Sequence, residues 1–223
     1  MKRFIALLLS VLMLAACFAG CHKDTEEAED STATAEETTK ASKDTTDLDS
    51  TTKKSKSGKS SVKEVDGNYV EVTFPSSYYS GYDEEDIIAA SEESGYKSCK
   101  VNKDGSVTYT MTEDQLQELK DEMQDTIDDT IASITTGDSA TGTISKVKYN
   151  KDMSKFNVYV DGDSYSEMTT LNAILFYTSA SYYQTISGVA EEDVDITVNF
   201  IDKDTDEVLD TETYADYLAM YGD

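Results

Sequence analysis

Asp202, Asp204 and Asp206 stand at the alternate spacing with which calcium loops begin, but the loop then fails. Glu207 occupies the place of the turn glycine, and Thr213 stands where the bidentate glutamate belongs. The stretch therefore reads as a hairpin turn, as does Asp161-Gly162-Asp163. Nothing in the chain calls for a metal or a cofactor. The 45 acidic residues offer carboxylate pairs for glycoside hydrolysis, yet so many acids reach suitable spacings by chance. The single histidine, His22, lies in a polar stretch far from any packed segment, so imidazole acid–base and triad chemistry lack their central part. The only arginine is Arg3. Beyond it no guanidinium fork remains for phosphate or carboxylate recognition.

The tyrosines are more informative. Tyr78, Tyr79 and Tyr82 lie in a Ser/Gly-rich loop, and Tyr177, Tyr182 and Tyr183 lie on a helical stretch. Amphipathic rings beside small residues make a contact surface for sugar or protein, and they serve equally to pack beneath a sheet. The formal charge of −26 repels nucleic acid and anionic headgroups.

The amino terminus carries its own chemistry. Lys2 and Arg3 precede an apolar run over residues 4–14, then small residues and cysteines. The run is short for a membrane-spanning helix and has the form of an export signal. Leu14-Ala15-Ala16-Cys17 and Phe18-Ala19-Gly20-Cys21 both resemble the lipobox of bacterial lipoproteins. The first is nearer the consensus, whereas polarity begins directly after the second, which places the modified cysteine at Cys21 with Cys17 as the alternative. The resemblance implies a diacylglyceryl group on that thiol and cleavage just before it. It also implies residence on the outer face of the cytoplasmic membrane, held there by acyl chains. Cys99 is then a small hydrophobe on a strand.

The chain divides into a signal peptide over residues 1–20, a stalk over 21–62 and an acidic domain over 63–223. Leu48 is the one large apolar side chain between His22 and Ser61, so the stalk is expected to be disordered. As a coil of ~40 residues it reaches roughly 35 Å. From Lys63 onward lie 35 of the acids, 10 of the 19 basic residues and all 15 tyrosines.

Period-two alternation marks strands at Val70–Phe74, Val107–Met111, Phe156–Val160 and Val194–Phe200. Helices follow from Asp83 as a cap for residues 84–90, and from a Thr112/Gln115 capping box before a stripe of Leu116, Leu119, Met123, Ile127, Ile131 and Ile134. A third helix is expected over 170–187, burying Leu171, Ile174, Leu175, Tyr182 and Ile186. Asn102-Lys103-Asp104-Gly105-Ser106 and Asn150-Lys151-Asp152-Met153-Ser154 read as matching hairpin turns. The expectation is an α+β fold in the order βαββαββαββ, an antiparallel sheet built of hairpins with about three helices on one face. The hairpin segments Tyr96–Thr112 and Val194–Thr211 resemble uncharacterised extracytoplasmic lipoproteins of Gram-positive bacteria, a resemblance that implies no activity. The function read from the sequence is a non-enzymatic module. It would bind a protein, peptide or wall polymer through its sheet face or the Tyr78–Tyr82 loop. A histidine-free carboxylate hydrolase and an accessory subunit of an envelope or transport complex stay open.

Overall fold

The computed structural model describes residues 60–65, 67–137 and 142–221. Cys17, Cys21 and the stalk before Ser60 lie outside them. The class is α+β, as expected, but the strands form two four-stranded sheets rather than one. Sheet 1 contains β1 (Val62–Val65), β2 (Tyr69–Phe74), β3 (Ser98–Val101) and β4 (Val107–Thr112), in the order β1-β2-β4-β3, all antiparallel. Sheet 2 contains β5 (Ile144–Tyr149), β6 (Lys155–Val160), β7 (Thr197–Asp202) and β8 (Val208–Thr213) in sequential order. Its central pair, β6 and β7, is parallel. The helices are α1 (Glu84–Glu93), α2 (Glu113–Thr135), α3 (Glu167–Thr170), α4 (Ala173–Ile186) and α5 (Tyr214–Tyr221). Expected and observed orders differ by β1 in front, α5 behind, and the short α3 ahead of α4 where one helix was expected.

The parallel pair has a plain cause. A parallel connection needs a crossover of a dozen or more residues, and the stretch carrying α3 and α4 supplies one between β6 and β7. Sheet 1 returns from α1 through a tight hairpin, which places β4 antiparallel beside β2 and leaves β3 at the edge.

The inner faces follow the alternation. Val70, Val72 and Phe74 lie opposite Met111, Tyr109 and Val107 and form one core. Phe156, Val158, Val198 and Phe200 anchor a second. Two helices serve both. On α2, Leu116, Leu119 and Met123 enter the first core, while Ile127 and Ile134 enter the second. On α4, Ala173, Phe176, Tyr177 and Ala180 belong to the second core, and Tyr182 and Ile186 to the first. The expected helix over 170–187 breaks at Leu171 and Asn172, where the Asn172 side chain donates to the Thr169 carbonyl at 2.8 Å. Leu171, expected to be buried, is 48% exposed, and Ile174 and Leu175 are half-buried.

The α2 capping box forms as expected: Gln115 N–H donates to Thr112 Oγ1 at 3.1 Å, and Thr112 N–H to Gln115 Oε1 at 3.0 Å. Asp83 occupies the cap position of α1, but its side chain makes no capping bond.

The two matching turns share their hydrogen bonds. Asn102 Nδ2 donates to Ser106 Oγ, and Ser106 N–H and Oγ–H both donate to the Asp104 carboxylate. Asn150, Ser154 and Asp152 repeat that set. Both turns require a left-handed residue, supplied by Gly105 at φ 83° and by Met153 at φ 56°. The residues differ because their surroundings do. A Cβ on Gly105 would meet the Ser76 Cβ at 3.0 Å, whereas the Met153 side chain is fully buried in the second core. Exchanging them should be costly in both directions. Met153→Gly loses about 3 kcal/mol, because lost burial outweighs the roughly 1 kcal/mol of relieved backbone strain. Gly105→Met loses about 2 kcal/mol. Urea unfolding of each variant measures both.

Candidate functional site

The Tyr78–Tyr82 loop turns its rings inward. Tyr78 and Tyr79 close a short 3₁₀ turn over Ser76–Tyr79, after Pro75 has directed the chain away from β2. The Tyr78 ring meets Phe74 and Tyr182 edge-on at 6.2 and 5.6 Å, and its hydroxyl donates to Ser181 Oγ at 3.1 Å. Burial pushes its ionisation up to about 12. Tyr79 packs on Phe74 and Tyr109, and burial holds it well above the ordinary phenol value. Tyr82 is half-buried against the same core. On α4, Tyr177 and Tyr182 are buried and Tyr183 is half-buried between the cores. The geometry of all six is that of packing.

The acidic turn is likewise occupied within itself. The Asp202 carboxylate accepts the N–H groups of Asp204 and Thr205, which lowers its ionisation. Lys203 Nζ bridges Asp204 at 2.7 Å and Asp161 at 2.9 Å. Among the described residues, no three His, Cys, Asp or Glu side chains form a group able to hold a metal ion. Cys99 is half-buried on β3, and burial pushes its thiol up. Two carboxyls, Glu122 and Glu212, are pushed up by burial first and by neighbouring acids second. Glu122 acts on Tyr96 and Tyr182 at the first core. Glu212 acts on Tyr165 and Tyr177 at the second. They do not make a catalytic pair.

The surface feature that stands out was not expected from the sequence. The exposed large hydrophobic side chains among the described residues are Met168, Leu171, Val208, Leu209, Leu218, Met220 and Tyr221. They come from α3 and its C-cap ahead of α4, from β8 and from α5, and the topology gathers them at one end. Gln184, fully buried, donates to the carbonyls of Met153 and Asp195 and accepts the Asp195 N–H. It thereby fixes where β6 and β7 begin, in the C-terminal half of α4. Both strands run away from it, so the antiparallel β8 starts at the far end, with Val208 and Leu209. Tyr165, just ahead of α3, donates to the Asp210 carboxylate at 3.2 Å and ties that loop to β8.

α5 comes back to the same end. Tyr214 N–H donates to the Ile196 carbonyl at 2.9 Å, next to the Asp195 that Gln184 holds, while Tyr217 packs on Tyr177, two turns earlier on α4, at 5.4 Å. α5 therefore runs antiparallel to α4 and carries Tyr221 toward the level of Leu171. The described residues begin at the opposite end. Ser60 Oγ–H donates to the Gly188 carbonyl, and Ser61 Oγ–H to those of Thr185 and Val189. Between the two ends lie the 14 residues of α4, roughly 21 Å of helix.

A signal for α5 was present in Tyr214, Tyr217 and Tyr221, spaced i, i+3, i+7. The expected element order nevertheless ended at the last hairpin. No family model matches the chain, and neither the search of curated proteins nor that of solved structures returns a match.

Packing and contact roles separate by stability. Tyr79→Ser should cost about 3 kcal/mol, since it opens a cavity beneath sheet 1. Met220→Ser, with its side chain 65% exposed, should stay within about 0.5 kcal/mol of the parent. Thermal melts followed by circular dichroism distinguish them.

Proposed function

We propose that this chain is a lipid-tethered, extracytoplasmic binding module, which engages a partner through the end of its domain formed by β8, α5 and the start of α4. The observation that carries this reading is the placement of the exposed apolar side chains. They sit together at one end, while the chain comes in from its stalk at the other. Monomeric surfaces rarely leave large apolar side chains gathered without a use. A tether at the opposite pole presents this one outward, away from the bilayer. No helix among the described residues is long and apolar enough to cross a membrane, so attachment in this reading falls to the acylated cysteine.

The two raised carboxyls at separate cores support binding over carboxylate hydrolysis. The placement of Tyr78, Tyr79 and Tyr82 supports moving the contact role from that loop to the β8–α5 end.

Two measurements test the reading. Intact mass of the mature protein should give a diacylated amino terminus at Cys21, or at Cys17 in the alternative. An unmodified, uncleaved chain would contradict the tether. Replacing Leu218, Met220 and Tyr221 together by Ser should leave the melting temperature within ~2 °C and abolish chemical cross-linking to the partner on intact cells. Cross-linking that persists in a folded triple variant would rule this end out.

A further inference from the structure

The two sheets have four edge strands, and three of them carry lysine. β1 carries Lys63, β3 carries Lys100, and β5 carries Lys146 and Lys148. Lysine on an edge discourages another strand from pairing there. β8 has no lysine. It is exposed along most of its length, with Val208 53% and Leu209 37% accessible.

Its backbone has hydrogen-bonding groups to offer. Tyr214 N–H donates to the Ile196 carbonyl at 2.9 Å, in register with the Thr197–Thr213 pair. Hydrogen-bonded pairs alternate along an antiparallel ladder, so the Thr211 N–H and carbonyl point away from β7. The Asp210 carboxylate caps that N–H at 2.7 Å, a local contact that an incoming strand can replace.

Charge selects the occupant. From Asp204 to the end of the chain lie seven acids and no basic residue. Asp210 and Glu212 lie opposite Phe200 and Val198, so both carboxylates project on the inner side of the edge. A second copy pairing antiparallel about Thr211 would set Asp210 against Glu212 of its neighbour, and like charges directly opposite are destabilising. An extended segment with bases at alternate positions meets the opposite sign. Its remaining side chains fall on the side of Val208 and Thr211, where small apolar or hydroxylated residues fit.

We infer that β8 is a strand-addition site for an extended basic peptide segment, whose main chain pairs with the Thr211 edge and whose alternate Lys or Arg side chains meet Asp210 and Glu212. This deepens the proposed function, since it names the partner chemistry of that same end. Like-charge crowding of Glu212 by Asp210 and Asp216 agrees with it, because an arriving cation offsets that repulsion.

The test uses the full chain in detergent solution and two fluorescein-labelled eight-residue peptides, one alternating Val with Lys, the other Val with Glu. Fluorescence anisotropy should give at least tenfold tighter binding of the Lys peptide, weakening at high salt. Thr211→Pro removes the outward N–H without touching the β7 ladder, and Leu209→Lys installs the guard present on the other edges. Each should lower affinity for the Lys peptide at least tenfold, with circular dichroism unchanged. Equal binding of the two peptides, no binding of either, or Lys-peptide binding indifferent to both variants would overturn strand addition. If strand addition fails while the Leu218/Met220/Tyr221 triple variant still loses its cross-link, the contact surface stands without it. If that cross-link also persists, both readings fall.

Discussion

Each four-stranded sheet has one apolar face, and neither has helices enough of its own to cover it. α2 and α4 lie across both cores, and that sharing is the constraint on which the rest depends. α2 serves both cores by dividing one apolar stripe along its length, whereas α4 is apolar over much of its circumference, with ten of its side chains buried. Each sheet is pinned to α4 by one stacked aromatic pair, Phe74 on Tyr182 at 4.9 Å and Phe156 on Phe176 at 4.8 Å. Gln184 adds direction to this packing. Its buried amide donates to the Met153 and Asp195 carbonyls and accepts the Asp195 N–H, and without these partners that amide would be buried unsatisfied at considerable cost.

From this arrangement follow the two poles. With α4 as the shared axis, its C-terminal end receives the incoming chain through Ser60 and Ser61, and its N-terminal end gathers α3, the start of β8 and the end of α5. The tyrosines then have a structural task. Tyr78, Tyr79 and Tyr182 fill the first core's margin, and Tyr177, Tyr214 and Tyr217 seat α5 on α4. Most of the acids lie outward along α1, α2 and the turns, and none is fully buried among the described residues.

Much of the fold was legible because local rules agreed. The Thr112/Gln115 box, the stripe on α2 and the alternation of β2, β4 and β6 each point to one structure. The division into two sheets was not legible. Strand alternation identifies a buried face but not which helix covers it, and a helix shared by two cores leaves no periodic mark of its two partners. β1 was missed because Val-Lys-Glu-Val is short and half charged, and its pairing with β2 is set by the register of a neighbour. The loop tyrosines could be read either as surface or as packing, and only the position of α4 beneath them decides where their rings go. The β8–α5 end escaped notice because its hydrophobic residues are scattered in sequence and meet only through the antiparallel return of α5 along α4.

If α2 and α4 bind both sheets into one unit, neither sheet can open without the other. Native-state hydrogen exchange reads this most directly. The slowest amides of β2 and β4 and those of β6 and β7 should exchange with the same opening free energy, equal to that of global unfolding. Sets differing by more than about 2 kcal/mol would mean that the sheets unfold separately, and the shared-helix account would be wrong.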